Sequence, residues 1–262
     1  MVNPPKLSNI PAQNTRQWLN APIINLNTTD STNNDAMRLI DADKAQPGTT
    51  IVAAHQTAGK GQRGRQWEER SGESLLMSMI AAPVAPVNDQ FIFSAAIAVA
   101  IAGVLSRAIT GHAQIKIKWP NDLIVNDKKA GGILIENILL GRSWKYAVIG
   151  LGLNLLQEHF NDSLPHATSL RIATGKELEK KALILKIREA VFDKISVPIN
   201  NEDTIAAYNQ WLFKKDEPQV FVKEDQIWTG IIRKVLPDGR LEVQLADGRI
   251  SHYTHGEIIW KY

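Results

Sequence analysis

The stretch Ala53–Trp67, AAHQTAGKGQRGRQW, interleaves three glycines (Gly59, Gly61, Gly64) with three cations (Lys60, Arg63, Arg65) and closes on an indole. Glycine reaches positive φ without penalty and lets backbone come close to a ligand. Arginine's planar fork bonds phosphate oxygens two at a time, and lysine adds a point charge. Trp67 offers a flat face for a ring system. Such a loop is built to fold over an anion, a nucleotide among them. On this stretch alone, a solvated basic loop without a ligand is the competing reading.

Two phosphate-binding patterns fail against it. Gly59-Lys60-Gly61-Gln62-Arg63-Gly64 matches G-x-G-x-x-G after an apparent strand over Thr50–Ala54. A dinucleotide fold then needs a helix opening at the glycines and an acidic residue about 20 positions on. Arg65–Gly72 has no apolar helical face, and the required position falls in Val84-Ala85-Pro86. In a Walker A loop, a glycine would replace Ala54, and a hydroxyl for magnesium would replace Gly61.

The 262 residues are 44% hydrophobic, enough for one large core and a small extra domain. A net charge of +3 without a block of like charges does not demand a nucleic-acid partner. The absence of cysteine excludes disulfides, thiolate metal sites and a thiol nucleophile, and fits a reducing compartment. MVNPPKLSNIPAQ lacks the apolar core of a signal peptide. The longest apolar run, Phe91–Ile109, is alanine-rich and contains Ser94, Gly103, Ser106 and Arg107, so it reads as a buried helix rather than a membrane span. A cytoplasmic protein without a membrane partner is expected.

Along the chain, residues 1–20 carry three prolines and read as an extended arm. Pro22–Leu26 suggests a first strand. Asp30-Ser31-Thr32-Asn33-Asn34-Asp35 leads into an apolar stripe and marks a helix N-terminus, with more polar groups than one cap uses. Strands are expected at Thr49–Ala54, Glu73–Ile80, Gln114–Lys118 and Trp144–Leu151, and a central helix at Asn88–Thr110. Leu123–Val125 and Gly132–Glu136 flank a hairpin turn at Asn126–Lys129. Helices follow over Gly175–Lys194 and Glu202–Phe213. Beyond Pro218, short strands separated by Lys223-Glu224-Asp225, Pro237–Arg240 and Asp247-Gly248-Arg249 imply a small antiparallel barrel, SH3-like in size. The expected division is an arm at 1–20, a catalytic domain at 21–214 and a C-terminal domain at 215–262.

Further chemistry clusters at Lys118-Trp119-Pro120-Asn121-Asp122, where Asp122 suits magnesium beside a nucleotide. Lys129 stands before Ala130-Gly131-Gly132, at a close backbone approach. The six histidines, His55, His112, His159, His166, His252 and His255, show no metal-ligand spacing, and Trp144, Trp211, Trp228 and Trp260 read as packing residues. Anion binders and amides without a nucleophile fit a substrate carboxylate attacking ATP, with the protein supplying position and charge.

In this order, the blocks Asp30–Asn33, Gln56–Trp67, Lys118–Asp122 and Lys129–Leu134 resemble the biotin protein ligases, with Gly150–Asn154 and Ala167–Leu170 adding to the likeness. The resemblance implies an α/β (α+β) fold: a mixed-sheet, class II synthetase-like biotin/lipoate ligase domain and a small C-terminal SH3-like barrel. It implies biotin and Mg-ATP as substrates, no tightly bound prosthetic group, a biotinoyl-5′-AMP intermediate, and a lysine of a biotin carboxyl carrier protein of acetyl-CoA carboxylase as acceptor. Ser31, Thr32, Asn33 and Gln56 would bond the biotin head group. Lys60, Gly61 and Gln62 would close over it. Arg63 and Arg65 would meet phosphates, and Trp67 the adenylate. Lys129 would hold carboxylate and phosphoryl oxygens, with Gly132 lending backbone. Lys118, Asn121 and Asn154 would line the adenylate site, and Asp122 the metal. A homodimer stays open.

Two departures from the family pattern stand out. Its loop is usually G-R-G-R-x-x-x-W, and here Lys60 and Gln62 replace the first two arginines, so Arg63 or Arg65 is expected to supply the missing charge. Some members carry an N-terminal DNA-binding domain; only about 20 residues precede the first strand here, so no repressor function and no DNA partner are expected. Lipoate or octanoyl attachment within the superfamily, and a nucleic-acid-binding module, are the alternative readings.

Overall fold

The computed structural model describes residues 15–109, 111, 113–141 and 143–261. The first fourteen residues of the expected arm, Thr110 and His112 lie outside the described residues. A seven-stranded mixed sheet runs in the order β1 (Ile23–Thr29), β2 (Thr50–Gln56), β3 (Ser74–Ala81), β7 (Ser143–Asn154), β6 (Lys128–Leu140), β5 (Asp122–Val125) and β4 (Ile115–Lys118). Only β1 and β2 pair in parallel. Asn126 and Asp127 both take left-handed φ (49° and 62°), as the tight β5–β6 hairpin requires.

Helices cover both faces, and β3 is accordingly buried at every position. On one face lie α3 (Gln90–Ala108), α5 (Lys180–Ile195) and α6 (Asn201–Trp211) over Leu75, Met77, Met79, Ile149 and Leu151. The stretch Val87–Ala108 is long and apolar enough to cross a membrane, but α3 is the core helix, packed against α5, α6 and β4. On the other face lies α2 (Thr32–Asp41), whose Ala36 and Ile40 meet Ile51, Ile80 and Val148. This helix covers only part of its face. The open remainder holds the site.

Two expectations shift. Thr15–Leu19 is a short helix, α1, rather than extended arm: Trp18 is buried edge-on against Phe192, with ring centroids 5.4 Å apart. The helix expected from Gly175 begins at Lys180. Gly175 instead ends α4 (Leu170–Thr174) in the left-handed conformation that suits a glycine C-cap. The C-terminal strands β8 (Pro218–Lys223), β9 (Gln226–Val235), β10 (Leu241–Leu245), β11 (Ile250–Tyr253) and β12 (Ile259–Lys261) form a five-stranded antiparallel sheet in the order β11-β10-β9-β8-β12. It is tied to the first by Asn209, which exchanges two hydrogen bonds with the Val235 backbone, and by Trp119 Nε1 donating to Gly239 O at 2.9 Å.

Arg188 on α5 is buried and donates to the carbonyls of Trp18, Leu19, Ala21 and Gly48 and to Thr50 Oγ1, at 2.7 to 3.1 Å. It thereby fastens α1 and the turn before β2 to the body. Replacing it with methionine keeps the volume and strands those carbonyls. Arg188→Met is expected to cost about 3 kcal/mol and lower Tm by roughly 10 °C in a thermal melt.

Candidate functional site

Strand alternation lays the floor. In Gly150-Leu151-Gly152-Leu153-Asn154, the leucines point into the core while the glycines and Asn154 face the open side. Gly132 on β6 sits opposite Gly152, and Asp122 on β5 opposite Gly132. This row is bare backbone because something must lie on it. A Cβ at Gly152 would come within 2.6 Å of the Trp67 indole, and one at Gly150 within 2.3 Å of Asn33 Oδ1.

Every binding or catalytic candidate named from the sequence lines one cavity of about 590 Å³ over this floor. At one end, Ser31 caps α2 without a side-chain bond to the helix, so its buried hydroxyl is not spent on capping. Gln56 Oε1 accepts from Thr32 N at 2.8 Å and Thr32 Oγ1 at 3.1 Å. Ser78 Oγ lies 2.7 Å from Thr32 Oγ1 and 2.6 Å from Asn33 Oδ1, and Asn33 Nδ2 donates to Glu136 at 2.6 Å. Behind them, Asp30 receives Arg38, Asn34 and the Ser31 amide, which hold its carboxyl well below the usual carboxylate range.

The glycine–cation loop arches over the middle as a small closed hairpin. Gly61 N donates to Arg65 O at 2.7 Å, Trp67 N donates to Gly59 O at 2.9 Å, and Lys60 bridges Gln66. Arg63 takes a left-handed φ of 56°, a cost of about 1 kcal/mol for a non-glycine residue. Lys60 pairs with Glu136 at 3.2 Å. Trp67 lies on Gly152 with Lys129 Nζ 6.0 Å from its ring, and its Nε1 is buried without a partner among the described residues.

The far end is cationic. Five cations (Lys60, Arg63, Arg65, Lys118, Lys129) line the cavity against two carboxylates, Glu68 and Asp122. Lys129 pairs with Asp122 at 2.8 Å. Burial pulls Lys118 down to about 8, with Lys129 and Arg65 adding to the fall and Asp122 opposing it. Asn121 and Asn154 line the wall with their amide donors already committed to Ile133 O and Thr168 O.

Sequence reasoning missed several groups. Ser78 and Glu136 stand inside strongly apolar strands and lie behind the lining, bonded to Thr32, Asn33 and Lys60, which do line it. His255 and Gly256 come from the second sheet and reach the cavity only through the tertiary fold. Burial lowers the His255 pKa, and Arg63 beside it lowers it further. Trp260, read as packing, also faces the cavity, with Lys118 Nζ 5.2 Å from its ring.

Residues 26–154 match the model of the biotin/lipoate A/B protein ligase family. A biotin–[acetyl-CoA-carboxylase] ligase of Mycobacterium tuberculosis is 31% identical over 245 residues, covering 88% of this chain and 86% of that protein. The chain belongs to the biotin/lipoate A/B protein ligase family. Within that family, the bifunctional ligase/repressor BirA of Bacillus subtilis is 37% identical over 150 residues, and the match spans 55% of this chain and 45% of that relative. The fold matches that of a biotin protein ligase from Aquifex aeolicus solved in complex with biotin and ATP, with a TM-score of 0.72 at 23% identity, over 91% of this chain and 98% of that one.

If Gly152 is what admits the indole, Gly152→Ala must lift Trp67 and loosen the loop. Limited trypsin digestion should then cut at Lys60, Arg63 or Arg65 about tenfold faster than in the wild type, with the rest of the chain equally resistant.

Proposed function

We propose that this ligase-family protein activates biotin with ATP to biotinoyl-5′-AMP and transfers the biotinoyl group to a lysine of a biotin carboxyl carrier domain of acetyl-CoA carboxylase. The observation that carries the reading is one cavity with a neutral, hydrogen-bonding end and a cationic end, roofed by a single loop. The ends suit a ureido head group and a triphosphate, and Leu134 and the glycine backbone between them suit an aliphatic chain.

Ser31, Thr32, Asn33 and Gln56 hold the head group. Lys60, Gly61 and Gln62 close over it. In the first step, a biotin carboxylate oxygen attacks the α-phosphorus of ATP and pyrophosphate leaves. Lys129 holds the carboxylate against the phosphoryl oxygens, with Gly132 backbone beside them, and Arg63, Arg65 and Lys118 offset the developing charge. Trp67, Asn121 and Asn154 line the adenylate. In the second step, a carrier lysine amine attacks the acyl carbon and AMP leaves. The roofed loop keeps water from the mixed anhydride meanwhile.

Magnesium enters with ATP. Among the described residues no group of three or more histidine or carboxylate side chains could hold a metal alone. Magnesium retains waters and takes phosphate oxygens, so the single carboxylate of Asp122 suits it. Bound there, it would neutralise phosphate charge.

The proposal includes a cytoplasmic location, and a chain divided into an arm (1–20), a catalytic domain (21–214) and an SH3-like domain (215–262). Biotin is favoured over lipoate because its ureido group can meet the buried Ser31 hydroxyl that capping leaves unspent, and a dithiolane ring cannot.

Exchange of labelled pyrophosphate into ATP tests this directly. Exchange is expected with biotin and not with lipoate, and should fall about a hundredfold or more in Lys129→Ala and in the Arg63→Ala/Arg65→Ala pair. Exchange with lipoate alone would overturn the substrate, and unchanged ATP dependence in the arginine pair would overturn their role. Lys118 gives a pH signature. It is charged below about 8 and neutral above, so kcat/KM for ATP should fall as pH rises through about 8. Lys118→Arg, which stays charged, should remove that limb.

A further inference from the structure

Lys129 owes its place to a segment that is not itself regular structure. It sits at the bulge where β6 slips against β5, with Leu123 opposite Gly131 and Ile124 opposite Lys129. A bulge alone leaves the local ladder disrupted. The repair comes from residues 166–168. Lys129 N donates to His166 O at 2.7 Å, Thr168 N donates to Lys129 O at 2.9 Å, and Lys129 and Ala167 form a parallel bridge. Both backbone groups of the lysine are thus clamped from one side.

The clamp has its own anchor. Asn154 Nδ2 donates to Thr168 O at 3.1 Å, and Gln157 Nε2 donates to Asn154 Oδ1 at 3.3 Å and to Ser74 Oγ at 2.5 Å. The two acceptors in front of Gln157 Nε2 fix how both amides are turned. Ser169 Oγ returns a bond to Gln157 O at 2.6 Å. Gln157 is buried, lies outside the cavity lining, and leaves its Oε1 buried without a partner among the described residues. The side chain thus carries one unpaired buried carbonyl and supplies the donor for two buried acceptors, Asn154 Oδ1 and Ser74 Oγ, which an apolar side chain of the same length could not do. What the amide provides is the donor that orients Asn154.

We infer that Gln157 is a positioning residue for Lys129, acting through Asn154 and the 166–168 segment. The inference rests on the reading of Lys129 as the group that holds the reacting oxygens.

Gln157→Met separates this from a merely structural role. It removes the stranded carbonyl but also the donor to Asn154 Oδ1 and Ser74 Oγ, so Tm should fall by only a few degrees. The amide protons of Lys129 and Thr168 should exchange with deuterium at least tenfold faster, while β3 and β7 stay protected. That readout needs no activity, so it tests the clamp even if the adenylation reading fails. In biotin-dependent pyrophosphate exchange, kcat should fall about tenfold to a hundredfold with KM for biotin unchanged, because the head-group end is untouched. In a Lys129→Ala background, Gln157→Met should have less than about a twofold further effect, since the residues act as one unit. Unchanged exchange at the Lys129 and Thr168 amides would overturn the inference, as would an equal loss of kcat with or without Lys129. Absent exchange in the wild type, with the amide effect intact, would overturn the adenylation reading and leave the clamp standing.

Discussion

The site depends on one close approach: the indole of Trp67 lying on the backbone of β7, possible only because position 152 has no side chain. The loop's stem obeys the same constraint, since a Cβ at Gly59 would meet Trp67 O at 2.7 Å. With roof and floor in backbone contact on one side, the remaining space is a slot rather than an open groove. The periodicity of the strand enforces this. Gly150 and Gly152 fall on the face that Leu151 and Leu153 cannot occupy, so one short segment supplies both a packed core and a bare floor.

Charge is the second constraint. Lys60 and Lys129 each have a carboxylate partner, Glu136 and Asp122, and these pairs can exist before any ligand arrives. Arg63 and Arg65 form no ion pair among the described residues. With Lys118 they leave the far end of the cavity electropositive, and burial makes that arrangement expensive, which is why Lys118 sits low. A polyanion relieves the repulsion. The loop's two arginine replacements fit this picture: Lys60 is taken up by Glu136, while Arg63, held over Gly256 beside the second sheet, keeps a guanidinium at the cationic end.

Much of this was legible in the sequence. Periodicity and turn chemistry located the strands and the two long helices, and the ordered blocks located every residue that lines the cavity among those named. Three things were not legible. Trp18 is apolar in a proline-rich stretch, and only the distant Arg188 and Phe192 turn its neighbourhood into a helix. Ser78 and Glu136 are single polar residues in apolar strands, where a pattern reader sees an interruption and the folded sheet places hydrogen-bond and ion-pair partners for Thr32, Asn33 and Lys60. His255 and Trp260 lie far from the blocks in sequence and join the site only when the second sheet packs on the first.

That packing changes the standing of the second sheet. Trp119 belongs to the Lys118–Asp122 block, yet its indole N–H is satisfied by Gly239 and its ring edge meets His255 at 5.6 Å. The turn carrying Gly239 in turn packs on Phe91 at the start of the core helix. The cationic end of the cavity is therefore a joint between two sheets, not a feature of one. A mixed anhydride survives only where water is excluded. The glycine floor and the loop supply two sides of that enclosure, and the C-terminal strands supply a third through His255, Gly256 and Trp260. The small sheet thus forms a wall of the cavity, and under the proposed reaction its attachment at Gly239 and Val235 would serve the chemistry as well as the fold.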